Sequence, residues 1–209
     1  MMTEKDLELQ NALLAKYDYV KARAVRSADH ASFDVPAEKL VEFATALRDQ
    51  EGFSAVQDCE ALDWGVDAGT RFSVIWHLCN HTTHMYVRIC CDAQNNEKPA
   101  VPSLCGVWSG CNWIEREQYD LMGVDFIGHP DMRRIMMWDE YPYHPLRKDF
   151  PLAGVDVPYY DEDTLAQTNL KVQPAPQNGG PFVATAGMTK RTTEPCGLDQ
   201  EWTEGHRKN

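Results

Sequence analysis

The sequence predicts an α+β fold: a mixed or antiparallel sheet with flanking helices, followed by an extended C-terminal arm. Three observations carry this. Between Pro36 and Phe53, Leu40, Phe43, Ala44 and Leu47 recur at i, i+3, i+4, i+7, the apolar stripe of a helix. Arg71–Cys79 and Met85–Cys91 are apolar runs rich in β-branched and aromatic residues, separated by polar Asn80–His84, which reads as a β-hairpin. From Pro151 onward the apolar periodicity fades, and six of the 12 prolines and six of the 13 glycines fall in the last 59 residues. The core domain is therefore placed at 1–150, and 151–209 reads as a Pro/Gly-rich arm without a core of its own.

The elements follow in order. Residues 5–16 form a short helix. Residues 18–35 hold two strand-like pieces, YVKARAV and ASFDV, around the polar turn Ser27–His30. Pro36 sits in the first turn of the next helix and Gly52 stops it. After the hairpin, Gln94–Pro102 is polar, contains two prolines and reads as a loop. Residues 110–122 form a further helix, with Ser109 as its cap and Gly123 as its end. On it Arg116 and Asp120 stand four apart and are expected to pair, worth about 0.3 kcal/mol on an exposed face. Short extended pieces follow, punctuated by Gly128, Pro130, Pro142 and Pro145. Irregular alternation of helices and hairpins is the α+β pattern.

Composition narrows the function. Hydrophobic residues are 43% and charged residues 25%, a normal globular balance. The net charge of −12 argues against a nucleic-acid partner, which calls for a basic face, and against adhesion to anionic lipid. No run approaches the roughly 18 apolar residues of a membrane span. The charged start, MMTEKDLELQ, lacks the apolar stretch of a signal peptide. The seven cysteines, with no export signal, do not read as a disulfide framework.

Several groups of residues invite a chemical reading. His77, Cys79, His81 and His84 cluster in HLCNHTTH, but on a strand i, i+4 residues lie about 13 Å apart, so the motif reads as polar hairpin residues rather than a metal site. The cysteines show no C-x-x-C pair for zinc or an iron–sulfur cluster. There is no GxGxxG and no GxxxxGK[ST], so neither nicotinamide nor flavin is expected in this chain. Glu115, Glu117 and Asp120 could serve as acids or bases, but Arg116 among them is expected to hold them ionised rather than raise a pKa. Arg133, Arg134, Arg147 and Lys148 form a basic minority near Asp131 and Asp149, with His129-Pro130 and His144-Pro145 close by. Stiff, charged and aromatic-rich loops of this kind suit a permanent interface.

The run Trp113-Ile114-Glu115-Arg116-Glu117, then Tyr119-Asp120-Leu121-Met122-Gly123-Val124, Phe126, Gly128-His129-Pro130-Asp131 and Arg133-Arg134-Ile135, resembles the signature of the respiratory complex I 30 kDa subunit family, in bacteria the C subunit of NADH:quinone oxidoreductase. His144-Pro145-Leu146-Arg147-Lys148-Asp149-Phe150-Pro151 resembles the family's second block, and a weaker likeness covers about residues 35–151. Between the blocks MMWDEYPY departs from the pattern, with Tyr143 where relatives often place glycine. The resemblance implies an α+β subunit of the peripheral arm, on the cytoplasmic side of the inner membrane. It implies no catalytic centre and no cofactor in this chain; flavin and iron–sulfur clusters lie in partner subunits. The neighbours would be the subunit helping to form the quinone cavity and the one carrying the terminal iron–sulfur cluster. Electrons would pass from NADH to quinone with proton translocation. Similar subunits serve membrane-bound hydrogenases and reduced-deazaflavin dehydrogenases, which is one alternative assignment; the other is a stand-alone metal-binding protein using the hairpin residues His77, Cys79, His81 or His84.

Overall fold

A computed structural model describes residues 2–23, 30–139 and 141–151. The chain divides into Met1–Lys148 and Asp149–Asn209. Of the second unit only Asp149–Pro151 are described, so the extended arm expected over 151–209 lies almost wholly outside the described residues.

The first unit opens with α1 (Glu4–Lys16). Thr3 caps it in a capping box: its hydroxyl accepts from the Asp6 N–H at 3.2 Å, and the Asp6 carboxylate accepts from the Thr3 N–H at 2.9 Å. Then come β1 (Lys21–Ala22) and β2 (Ala31–Asp34), the two expected strand pieces. The Ser27–His30 turn lies outside the described residues apart from His30. Helix α2 (Ala37–Asp49) buries Leu40, Phe43, Ala44 and Leu47, the stripe read from the sequence. Pro36 is its N-cap in extended conformation rather than part of its first turn, and Gly52 follows the helix at φ +76°.

Strand β3 (Ala55–Asp63) was not expected. Its sequence AVQDCEALD is acidic, and its alternation is broken by a register shift between Val56 and Asp58, so the period-two signal is lost. β4 (Phe72–Asn80) and β5 (Met85–Asp92) are the hairpin. β6 (Ala100–Pro102) lies inside the segment read as a loop, paired in parallel with β7 (Asp125–Ile127) across the intervening α3 (Cys111–Met122). Gly110, not Ser109, is the N-cap of α3, with no side-chain cap bond. Gly123 ends it at φ +70° as expected.

Among the described residues the main sheet has the order β1-β2-β5-β4-β3. β2 and β5 are parallel and the other pairs antiparallel, so the sheet is mixed. Its inner face presents Phe33, Cys59, Val74, Trp76, Leu78, Val87, Ile89 and Cys91 to Leu13 of α1, the stripe of α2, and Cys111 and Met122 of α3. The other face carries Glu60, Ser73, Ile75, His77, Cys79, Arg88 and Asp92, as strand alternation requires. That face is mixed: Glu60 and Asp92 are exposed on it, whereas Ser73 and Cys79 are buried.

Phe43 is fully buried, edge-on to Phe33 at 5.7 Å and to Tyr17 at 5.3 Å. Phe43→Ala should cost about 3–5 kcal/mol of unfolding free energy, measured by urea denaturation. A loss under ~1 kcal/mol would show that the α2–sheet contact is not central to the core.

Candidate functional site

Helix α3 carries the densest polar chemistry of the described residues, and it is built on carboxylates. Glu115 and Asp120 are both fully buried. Five residues apart, they point to different surroundings.

Asp120 faces the loop that follows β7. Its Oδ2 accepts from three successive backbone N–H groups, Ile135 at 2.9 Å, Met136 at 2.6 Å and Met137 at 2.8 Å. The loop thus wraps the carboxylate as a backbone nest wraps an anion. Arg134 adds its guanidinium to Oδ1 at 2.5 Å and reaches the Asp120 carbonyl at 3.1 Å. Burial pushes the Asp120 carboxyl up, but the three N–H donors and Arg134 together outweigh it and hold the pKa below the ordinary carboxylate value.

The Arg116–Asp120 pair expected from i, i+4 spacing does not form. Arg116 instead donates to the carbonyls of Arg133 at 3.1 Å and Arg134 at 3.2 Å, with the Trp113 ring 5.2 Å from its guanidinium. Its reach to a sequence-distant loop could not be read from helix spacing. Arg133 keeps its own side chain outside, forked onto Asp131 with both contacts at 2.7 Å.

The second block, His144–Arg147, closes the helix end. The last carbonyls of a helix have no partner within it. Here His144 Nδ1 meets the Asp120 carbonyl at 2.9 Å and the Leu146 N–H reaches that of Leu121 at 3.0 Å. Arg147 Nε donates to Met122 at 2.7 Å and its NH2 to Gly123 at 3.0 Å. Four consecutive carbonyls are satisfied by one four-residue segment, with a cation at the negative end of the helix dipole. Burial, Arg147 and Arg134 lower the His144 pKa against the raising effect of the Asp120 carbonyl. Gly123 is required twice over: its φ is left-handed, and a Cβ there would collide with the Arg147 guanidinium and the His144 ring.

One residue further on, the Lys148 N–H donates at 2.9 Å to Asp63 at the end of β3. Asp63 also takes Arg71 through Nε at 3.0 Å and NH2 at 2.8 Å, and the Gly65 N–H at 2.9 Å. Burial raises this carboxyl, yet Arg71 and the two backbone donors bring it down to about 2.

Glu115 faces the opposite way, toward the sheet. It accepts from Ser103 Oγ at 2.6 Å, the Leu104 N–H at 2.8 Å, Trp76 Nε1 at 3.4 Å and Cys105 Sγ at 3.4 Å. Burial raises its pKa despite these donors, contrary to the expectation that Arg116 would keep it ionised. The reason is directional: Arg116 turns to the loop and leaves Glu115 without a cation among the partners just named.

Cys105, Glu115 and His129 bring one donor atom each within 4.8 Å of one another, a set that spacing along the chain does not reveal because its members come from three separate segments. Their bonds are already taken. His129 Nδ1 accepts from the Asp131 N–H at 3.0 Å, so its proton sits on Nε2, directed at the Asn112 carbonyl at 3.1 Å. A metal would have to displace these bonds and deprotonate a Cys105 thiol that burial holds up at about 11. The group works as a clasp between α3, the loop after β6 and the turn after β7.

Of the other residues singled out in the sequence, Phe126 is buried edge-on to Trp76 at 6.3 Å. Glu117 and Pro145 are half-buried, and Trp113, Pro130 and Lys148 are exposed. In the second unit Phe150 is half-buried and Asp149 and Pro151 are exposed. The six described cysteines are free thiols. No helix among the described residues is long and apolar enough to cross a membrane.

The fold and these clasps define a class: an α+β subunit whose signature residues brace one helix and its following loops. A family model described as the respiratory-chain NADH dehydrogenase, 30 Kd subunit, matches residues 33–156, and the chain belongs to that family. The NADH-quinone oxidoreductase C subunit of Phenylobacterium zucineum (strain HLK1) is 44% identical over 128 residues, covering 61% of this chain and 60% of that protein. The match thus spans less than two thirds of that relative's length. The protein of the same name from Xylella fastidiosa (strain M23) is 30% identical over 208 residues, covering 78% of this chain and 83% of that one. Among solved structures, a chain of the membrane-bound sulfane sulfur reductase, an archaeal respiratory membrane complex, shares the fold with a TM-score of 0.60 at 22% identity, over 80% of this chain and 93% of its own.

The clasps can be tested by substitution. Asp120→Asn should cost about 3–5 kcal/mol, since it leaves Arg134 buried without its charge partner, and thermal unfolding should show it. Gly123→Ala should also destabilise, by at least the ~1–2 kcal/mol of left-handed strain. For pH, Asp63 and Asp120 have lowered folded pKa values, so their stabilisation is present above the ordinary carboxylate range and is lost as pH falls through the folded values, near 2 for Asp63. Glu115 runs the other way: its contribution is present below its unfolded value and is lost as pH rises through the raised folded one. Glu115→Gln should therefore flatten the fall of stability with pH just above the ordinary carboxylate range while leaving the acid limb. An unchanged slope of the denaturation curves there would contradict this.

Proposed function

We propose that the chain is a non-redox structural subunit of the peripheral arm of a proton-pumping NADH:quinone oxidoreductase. Its task is to brace the quinone-reducing module while electrons pass from NADH to quinone in neighbouring subunits, where flavin and iron–sulfur clusters reside. It would sit on the cytoplasmic side of the membrane, held through the complex. Its partners would be the subunit that helps form the quinone cavity and the one with the terminal iron–sulfur cluster.

One observation supports this best. The signature residues Glu115, Arg116, Asp120, Arg134 and Arg147 turn inward as clasps, while the same stretch turns apolar side chains outward. Among the described residues, six of the eleven exposed large hydrophobics, Trp113, Ile127, Met136, Trp138, Tyr143 and Leu146, lie within 34 residues. A surface both apolar and rigidly backed favours a permanent contact, because little conformational entropy is lost on docking. The chemistry of the signature is that of holding a shape, with each of its buried acids saturated by donors.

The basic residues divide accordingly. Arg134 and Arg147 hold the helix end, so reversing their charge would unfold the platform before it tested docking. The informative variants are outside it. Ile127→Asp with Met136→Asp should leave thermal unfolding within about 2 °C of the parent, as surface changes do. The variant should fail to enter the peripheral arm in native gels of membranes, with NADH:quinone activity lost alongside. Normal assembly would remove this face from the interface. Purification from native membranes with identification of co-purifying subunits tests the assignment itself. A nickel–iron hydrogenase large subunit in place of the NADH-binding flavin subunit would point to the related complex.

A further inference from the structure

The hairpin motif HLCNHTTH takes no part in the clasps, and its geometry differs from what strand spacing alone suggested. His77 and Cys79 are alternate residues of β4 and share its outer face, about 7 Å apart along the strand. If the strand continued, His81 would stand about 13 Å from His77. It does not continue. Asn80 ends β4 and builds the turn, accepting through Oδ1 from the N–H groups of Thr82 at 2.9 Å and Thr83 at 3.1 Å, while its carbonyl accepts from His84 at 2.8 Å. His84 takes a left-handed φ of +58°, so the turn is tight. This folds His81 back onto the strand face, with its Nδ1 3.8 Å from Cys79 Sγ. A tetrahedral zinc ion with Zn–S near 2.3 Å and Zn–N near 2.0 Å holds such a pair about 3.5 Å apart. The thiol and imidazole already stand close to that spacing.

A second feature converges there. The register shift in β3 leaves Gln57 out of the pairing and sets Asp58 directly across from His77. Without the extra residue an amide would occupy that position; with it, a carboxylate does. Bulges of this kind re-aim side chains beside functional sites. A carboxylate next to a histidine is the usual orienting partner of a metal-ligating imidazole.

We infer that His77, Cys79 and His81, with Asp58 supporting His77, form a binding site for one thiophilic divalent cation of the zinc class. The fourth position is left to water or to the Asp58 carboxylate. Binding releases the Cys79 proton and takes as its third donor His77, two residues back on the same face of β4. Closing the hairpin turn onto the sheet by metal would stiffen this corner of the subunit, independently of the α3 clasps.

Cobalt(II) chloride titrated under reducing conditions into the full 209-residue chain, free of any histidine tag, tests this. One equivalent should bind with a near-ultraviolet thiolate-to-cobalt absorption band, and zinc should displace it. Cys79→Ser should abolish the band. His77→Gln and His81→Gln should weaken binding by more than about tenfold, and Asp58→Asn by about tenfold. Cys105→Ser should leave the band intact, which separates this site from the Cys105, Glu115 and His129 group. Absence of the band, its survival in Cys79→Ser, or its loss in Cys105→Ser would each overturn the proposal. Should Cys79→Ser fold poorly, His81→Gln on the exposed turn decides, since full-affinity binding there is incompatible with the site.

Discussion

The C-terminal end of α3 is the constraint on which the rest of this region depends. A helix end inside a protein leaves carbonyls that water cannot reach, and each costs on the order of 1–3 kcal/mol if unpaired. Here the answer is a segment more than twenty residues downstream. His144, Leu146 and Arg147 take the carbonyls of four successive residues. That choice fixes where the chain must return, and so fixes the loop between.

Asp120 performs the complementary task on that loop. A fully buried carboxylate is costly to desolvate, and it is tolerable only when saturated with donors. Three consecutive N–H groups and Arg134 supply them. The loop has no regular secondary structure, so its backbone groups need partners of their own; one carboxylate serves three of them. Arg116 does the same in reverse, its guanidinium serving two carbonyls. Helix and loop satisfy each other, which explains why a polar, proline-punctuated stretch can be rigid without a hydrophobic core beneath it. Rigidity of this kind suits the bracing role proposed above.

Glu115 shows how direction on a helix decides electrostatics. It neighbours Arg116 in sequence, yet adjacent helical residues do not face each other. The result is one acid with a raised pKa and another, five residues on, with a lowered one. Composition and spacing treat the two alike. Asp63 makes the same point across the fold: nothing near it in sequence announces that the Lys148 N–H will complete its shell.

Whatever is written in short periods was legible in the amino acids alone. The stripe of α2, the β4–β5 hairpin, the extent of α3 and the glycine that ends it all rest on local repeats or on one residue's backbone freedom, and the family likeness rests on two compact blocks. Contacts between distant segments emerged only from the folded chain. Strand β3 was illegible because acidic residues and a bulge broke its alternation; β6, inside a segment that reads as a loop, because a three-residue strand carries no period at all. Arg116 could not be assigned to the Arg133 and Arg134 carbonyls, nor Arg147 to the end of α3, because a long side chain reaches partners that sequence distance does not predict. Local order is set by near neighbours along the chain, whereas the pairing of buried charges is set by which donors the fold delivers to them.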